Sequence, residues 1–502
     1  MKKPNIIIFN PDQWRSDVMG CHGNRAAVTP FLDQFVATDA VSFENAFCQN
    51  PVCTPSRCSF MSGWYPHVRG HRTMYHMLHP EYDEPNLLKI LKDNGYFVWW
   101  GGKNDLVPGL DGYDQYCDVK FKPDPEELKK RGLTLQKGLH GTVKEWAAKL
   151  PDNNSFSFYA GLLEKGEEEL YCDDDWALVL GAIDFIKNYD GDKPYCIFLP
   201  LLYPHPPYGI EEPYFSMIDR AGLPPRIPAP DANVVKPIIL EGIRERQNMK
   251  NWTEGQWNDL RAVYYGMCAR LDDQFKALVS VLKEEGQYDS SAIFLFSDHG
   301  DFTGDYGLVE KTQNTFEDCL TKVPFIIKPP AAIPVEPGVK NALVELVDFP
   351  ATVYDMTGIK PDYDHFGKSL LPLIAGTETV VRNAVFCEGG RRMGEEQAME
   401  KSSSSSVYSL ESLYWPRTVL QISDEKPWHG KAVMCRTDKF KYVSRYYESD
   451  EFYDLTIDPG EQVNLIEDPT YADKVAEHKQ IMLDWFIDTC DVVPKKLDSR
   501  GF

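Results

Sequence analysis

The chain reads as an α/β protein. A large, mainly parallel sheet flanked by helices is expected over residues 1–380, and a smaller antiparallel sheet with one helix over residues 381–502. Three observations predict this. Apolar runs of strand length alternate with amphipathic helical stretches through most of the chain. From about Ala384 that texture gives way to short strands separated by turn residues. A length of 502 residues, 43% hydrophobic and 13% aromatic, supplies a large core plus a smaller one and excludes global disorder.

The elements follow in order. Residues 6–9 form the first strand. Residues 86–94 carry helical spacing (Leu87, Leu88, Ile90, Leu91), and Gly95 ends that helix before a strand at 96–100. A helix over 176–187 precedes Pro194 and an apolar strand at 195–202. A long helix at 260–285 (Leu271, Phe275, Leu278, Leu282) stops at Gly286, before strands at 292–296 and 323–328. Short strands are expected at 384–387, 431–436, 439–446 and 452–454, and a closing helix at 471–489. Two stretches, 118–175 and 209–253, interrupt the core pattern. The polar segment 389–412, with five consecutive serines at 402–406, is expected to be a mobile surface loop. The acidic runs 167–169 and 173–175 are expected to be solvated faces. No internal repeat is present.

Charge narrows the function. Fifty-three Lys plus Arg against 76 Asp plus Glu leave a formal charge of -23, which argues against nucleic acid or an anionic membrane as partner. An anionic substrate must therefore meet a local cationic pocket. Twelve cysteines without a CxxC pair suit reduced core residues better than a zinc site or a disulfide frame. The apolar run after Met1 is too short for a signal peptide, and no window is long enough for a membrane span. The expected location is the cytoplasm.

The decisive segment is Cys53-Thr54-Pro55-Ser56-Arg57. Around it, in order, stand Asp12-Gln13 after the first strand, Thr29-Pro30 before a helix, and Gly101-Gly102-Lys103. Then come Tyr203-Pro204-His205, Ser297-Asp298-His299-Gly300-Asp301, Lys311, Val323-Pro324, and Tyr453-Asp454-Leu455. This ordered set, spanning almost the whole chain, resembles the type I sulfatases of the alkaline-phosphatase superfamily. In that family a maturation enzyme, of the formylglycine-generating or anaerobic sulfatase-maturating kind, oxidises the motif Cys to formylglycine.

The resemblance implies a site. Asp12, Gln13, Asp298, His299 and the formylglycine at Cys53 would hold one divalent cation, Ca²⁺ foremost, with Mn²⁺ or Mg²⁺ as rivals. Arg57, Lys103 and Lys311 would supply cations, Arg57 one helical turn after Cys53 if a helix begins there. His205 would protonate the leaving oxygen. The chemistry is coherent: a thiol would give a thiosulfate-like adduct with no easy exit. A hydrated aldehyde can attack sulfur through one hydroxyl and later expel sulfate by re-forming its carbonyl.

Two departures stand out. Gln13 and His299 replace the family's more frequent Asp and Asn, as in the related phosphonate monoester hydrolases. Lys103-Asn104-Asp105 replaces the usual Lys-x-His, so Asp105 becomes a candidate contact for a substrate hydroxyl or amine. The expected substrate is a small sulfate ester, such as a sulfated mono- or oligosaccharide. The alternatives are a phosphonate monoester or phosphodiester hydrolase on the same scaffold, and an idle binding protein with an unmodified Cys53.

Overall fold

The computed structural model describes residues 3–109, 112–136, 154–164, 170–230, 234–400 and 409–501. Its centre is an eight-stranded sheet. In chain order the strands are β1 (Asn5–Asp12), β2 (Val41–Phe47), β3 (Phe97–Gly101) and β4 (Val119–Phe121). β5 (Tyr159–Leu163) and β7 (Tyr208–Glu211) pair separately as a two-stranded ribbon. The large sheet is completed by β6 (Tyr195–Pro204), β8 (Ser291–Phe296), β9 (Phe325–Lys328) and β10 (Gly338–Glu345). Its spatial order is β10-β2-β9-β8-β1-β6-β3-β4. Every strand pairs in parallel except β9, which runs antiparallel to both β2 and β8.

Alternation along each central strand builds two cores. Ile7, Phe9, Ile197, Leu199, Ile293 and Leu295 face the long helix Glu254–Glu284, where Phe275 meets the Phe9 ring edge-on at 5.3 Å. Ile6, Ile8, Phe198, Phe294 and Phe296 face the opposite layer. There Phe60 packs on Phe296 with ring centroids 5.0 Å apart, tying helix Cys53–Ser62 to the sheet. The long helix starts earlier than its apolar spacing indicates. Thr253 and Gln256 form a reciprocal capping box at its head.

The C-terminal part holds a four-stranded antiparallel sheet: β11 (Val385–Gly389), β12 (Ala432–Arg436), β13 (Phe440–Arg445) and β14 (Glu451–Asp454). Helix Ala472–Thr489 follows, with Trp485 stacked on Phe386 at 4.3 Å. The twelve cysteines are free thiols, ten of them buried. Among the described residues, no helix is long and apolar enough to cross a membrane.

Two expectations need correction. The acidic run at 173–175 is only in part a solvated face: Asp174 is exposed, but its two neighbours are tied into the fold. Asp173 caps helix Asp174–Asn188 and pairs with the buried Arg270 at 2.7 Å. Asp175, itself buried, accepts from the backbone N–H groups of Leu202 and Tyr203, each at 2.8 Å, and so fixes the end of β6 just before His205. Polar residues at a helix start looked outward only because their partners lie far away in sequence. Residues 389–400 are likewise built into the fold. Arg391 donates to Asp424 at 2.7 Å, and Glu400 accepts from Met74 N–H at 2.9 Å. The stretch 209–253 contains helix Ile238–Gln247, which packs Ile239, Leu240 and Ile243 into a small core. The runs 167–169 and 402–406 lie outside the described residues.

Candidate active site

Four neighbouring strands deliver their following residues to one rim of the sheet. β8 leads to Asp298 and His299, β1 ends in Asp12 and leads to Gln13, β6 leads to His205, and β3 leads to Lys103. This is where an open parallel sheet gathers ligand groups. Close backbone approach makes two glycines necessary. A Cβ at Gly102 would lie 2.3 Å from the Pro200 carbonyl oxygen, and one at Gly300 would lie 1.9 Å from that of Cys319. Gln13 takes a left-handed backbone, φ 72°, held by its N–H donating to Asp298 Oδ1 (3.1 Å) and its carbonyl accepting from Tyr264 (2.7 Å).

Cys53 is the first residue of helix Cys53–Ser62, all ten residues of which are buried. The orphan N–H groups of that first turn give the thiol's surroundings a positive bias. Its Sγ lies 3.2 Å from His299 Nε2, 3.6 Å from Asp12 Oδ1 and 3.7 Å from Lys103 Nζ. Burial, then the Asp12 carboxylate, push the thiol up to about 12. Arg57, one turn on and 1% exposed, donates to Asn10 Oδ1 (2.8 Å) and Asp12 Oδ2 (2.9 Å) and sits 2.9 Å from Asp298 Oδ2. Ser56 Oγ donates to the Asp298 carbonyl at 2.6 Å, a second tie between the helix and the β8 loop.

Lys103 Nζ bridges Asp12 Oδ2 (2.8 Å) and Asp105 Oδ2 (2.7 Å). Burial opposes ionisation of Asp12. The permanent cations Lys103 and Arg57 outweigh it and hold the carboxylate well below its ordinary range. Lys311, buried, donates to Gln13 Oε1 at 2.6 Å, while Gln13 Nε2 donates to Asp301. His205 is buried, and its Nδ1 lies 2.6 Å from the Pro206 carbonyl, so the neutral ring carries its proton there and its lone pair on Nε2. His67, His71 and His76 have structural partners in Glu388, Glu84 and the Gln397 carbonyl.

A divalent cation fits this donor set. Ligand atoms of Asp12, Cys53, Asp298 and His299 all lie within 4.8 Å of one another. Asp298 Oδ2 accepts no hydrogen bond, even from the guanidinium beside it. His299 Nδ1 is satisfied by the Gly300 carbonyl at 2.9 Å, which presents Nε2 as a lone-pair donor, and burial keeps the ring neutral.

Several neighbours were not singled out from sequence. Asn10 sits within β1 and orients Arg57. Tyr208 donates to Asp301 at 2.9 Å and accepts from the N–H of Glu310 at 3.1 Å. Glu310 pairs with Arg417 at 2.9 Å, and Tyr414 lies 6.4 Å from the His205 ring. Asp301 stands in the Ser297–Asp301 motif, a signal that could have marked it. Glu310 and Arg417 are 107 residues apart and carry no motif.

Known proteins resemble this chain over almost its whole length. A family model described as Sulfatase matches residues 4–359. The multifunctional alkaline phosphatase superfamily protein PehA of Trinickia caryophylli is 24% identical, over 98% of this chain and 96% of its own length. An arylsulfatase of Clostridium perfringens is 25% identical, over 96% of this chain and 94% of its own. Among solved structures, the phosphonate monoester hydrolase of Agrobacterium radiobacter superposes with a TM-score of 0.73 at 20% identity, covering 97% of this chain and 96% of that one. That last likeness speaks to the fold alone. The chain belongs to the sulfatase family, a family of sulfuric ester hydrolases.

Proposed function

We propose that this sulfatase hydrolyses a small organic sulfate ester, such as a sulfated mono- or oligosaccharide, using a formylglycine made from Cys53 by a maturation enzyme. The observation that carries this reading is the convergence of Asp12, His299 and Lys103 within 3.7 Å of Cys53 Sγ at the head of a buried helix. A buried, protonated thiol is a poor nucleophile for sulfur. The formylglycine hydrate supplies an oxygen nucleophile on a linkage that can release sulfate.

Asp12, Asp298, His299 and position 53, with Gln13 as a further oxygen donor, would hold a divalent cation such as Ca²⁺, Mn²⁺ or Mg²⁺. When bound, it supplies Lewis-acid stabilisation of negative charge. The chain's own residues do the rest. Arg57 fixes the two carboxylates in place. Lys103 and Lys311 bind the sulfate oxygens and neutralise charge that builds on them. His205, charged at Nε2, gives its proton to the departing alcohol. Asp105 holds Lys103 from the outer side and can accept from a sugar hydroxyl or an amine. The acidic surface suits a short substrate better than a polyanion.

The second reading, a phosphonate monoester or phosphodiester hydrolase, is favoured by Gln13 and His299. Comparing kcat/KM for a sulfate monoester and a phosphodiester of one alcohol separates the two. The sulfate ester is expected to be the better substrate, and phosphodiester turnover greater by orders of magnitude would contradict that.

His205→Ala is expected to lower kcat about 10²- to 10⁴-fold on an alkyl sulfate. The loss should shrink strongly on an aryl sulfate whose phenolate leaves without protonation. Equal losses on both esters would remove His205 from the proton-donor role.

A further inference from the structure

Lys311 is the one proposed sulfate cation whose placement depends on the C-terminal part of the chain. Its ammonium lies 2.6 Å from Gln13 Oε1 and 3.4 Å from Glu310 Oε1. Glu310 is in turn gripped by Arg417, with Nε at 2.9 Å from Oε2 and Nη2 at 3.4 Å from Oε1. Lys311, Glu310 and Arg417 are each less than a tenth exposed, so their charges meet with little screening by water.

Glu310 also has a left-handed backbone, φ 69°, which a side-chain-bearing residue adopts only when its surroundings impose it. The surroundings do impose it. Its N–H donates to Tyr208, whose hydroxyl donates to Asp301, and its carbonyl accepts from Phe302 N–H at 3.0 Å. Asp301 accepts from Gln13, so Glu310 and Gln13 belong to one hydrogen-bonded unit that reaches the Lys311 ammonium from both ends.

We propose that Glu310 and Arg417 are a positioning pair for Lys311, in which Arg417 draws off enough of the Glu310 charge to leave the ammonium with Gln13 and directed at the sulfate oxygens. Without Arg417 the full carboxylate competes with sulfate for Lys311. The ammonium then closes the 3.4 Å gap to Glu310 and leaves Gln13. Arg417 therefore acts through Lys311 and not by touching the reacting atoms. This inference rests on the sulfatase reading above.

The test uses the mature, full-length enzyme and four forms: the parent, Arg417→Met, Glu310→Gln, and the double variant. For each, kcat, KM for a sulfate monoester, the inhibition constant of inorganic sulfate and the melting midpoint are measured. Arg417→Met is expected to raise both KM and the sulfate inhibition constant at least tenfold, with a smaller change in kcat. The double variant, which removes both charges, is expected to recover most of that affinity. A merely structural pair would lower the melting midpoint and leave KM and the inhibition constant within twofold, or would leave the double variant as weak as the product of the two singles; either result overturns the proposal. The parent's rate separates the two levels. A parent that turns over the sulfate ester, with Arg417→Met unchanged, sinks the positioning claim alone. A parent with no sulfate-ester turnover sinks the reading beneath it, and the positioning claim with it.

Discussion

Cys53→Ala is expected to lower kcat/KM by about 10⁴-fold or more, the scale of losing a covalent nucleophile, while the protein stays folded. The two halves of this expectation have separate causes. The activity is lost because, among the described residues, no other side chain at the rim can supply an oxygen nucleophile with a built-in way of releasing sulfate. Asp12 is taken up by Arg57 and Lys103, and Asp298 by Arg57 and two backbone N–H groups. The fold survives because the helix that begins at Cys53 is held by Phe60 against Phe296 and by Ser56 against the Asp298 carbonyl, not by the thiol. Removing one sulfur from a buried site costs on the order of 1 kcal/mol, small against the stability of a domain. Kinetics and a melting curve on one preparation check both halves. Full activity in the variant would contradict the mechanism.

Asp12→Asn should weaken divalent-cation binding at least about 100-fold, since even outer partners of metal ligands are worth 10- to 100-fold. Asp12 lies between the candidate metal position and two cations. Its Oδ2 faces Arg57 and Lys103, and its Oδ1 faces Cys53 and His299. The amide keeps the shape and removes the charge, so Arg57 and Lys103 are left with less anion to balance them. The readout need not be activity. A cation that binds only the folded state raises the melting midpoint by mass action. The parent stripped with a chelator should therefore regain several degrees on adding Ca²⁺ or Mn²⁺, and Asp12→Asn should regain little. An equal shift in both proteins would exclude Asp12 as a ligand.

How much of this was legible in the sequence depends on whether the information is local. β1, β3, β6 and β8 are near-continuous apolar runs because both faces of each are buried, and they stand out as such. β2, with Glu44-Asn45 in its middle, and β10, exposed or half-exposed over its first half, lie toward the sheet's outer end. Their partly exposed positions break the apolar signal. The reversed direction of β9 leaves no mark in its four apolar residues. At the site, Asp12, Lys103, His205 and Asp298 were legible as polar residues at or just beyond the ends of strands. Lys311 stood out only through the resemblance, because nothing in its own neighbourhood distinguishes it from a surface lysine. Arg417 was beyond reach. Its helix, Trp415–Gln421, packs on helix Ile238–Gln247, where Leu420 joins Ile239, Leu240 and Ile243, and a contact to Glu310 across 107 residues has no local signature.

The central claim is that position 53 works as an aldehyde hydrate and not as a thiol. It is tested most directly by the mass of the peptide spanning Cys53, cut from active protein made in a host with the maturation enzyme. The peptide is expected to be lighter than the thiol form by the loss that accompanies conversion to formylglycine, and reactive toward an aldehyde-trapping amine. A preparation that hydrolyses sulfate esters at full rate while this peptide carries an intact thiol would contradict the claim.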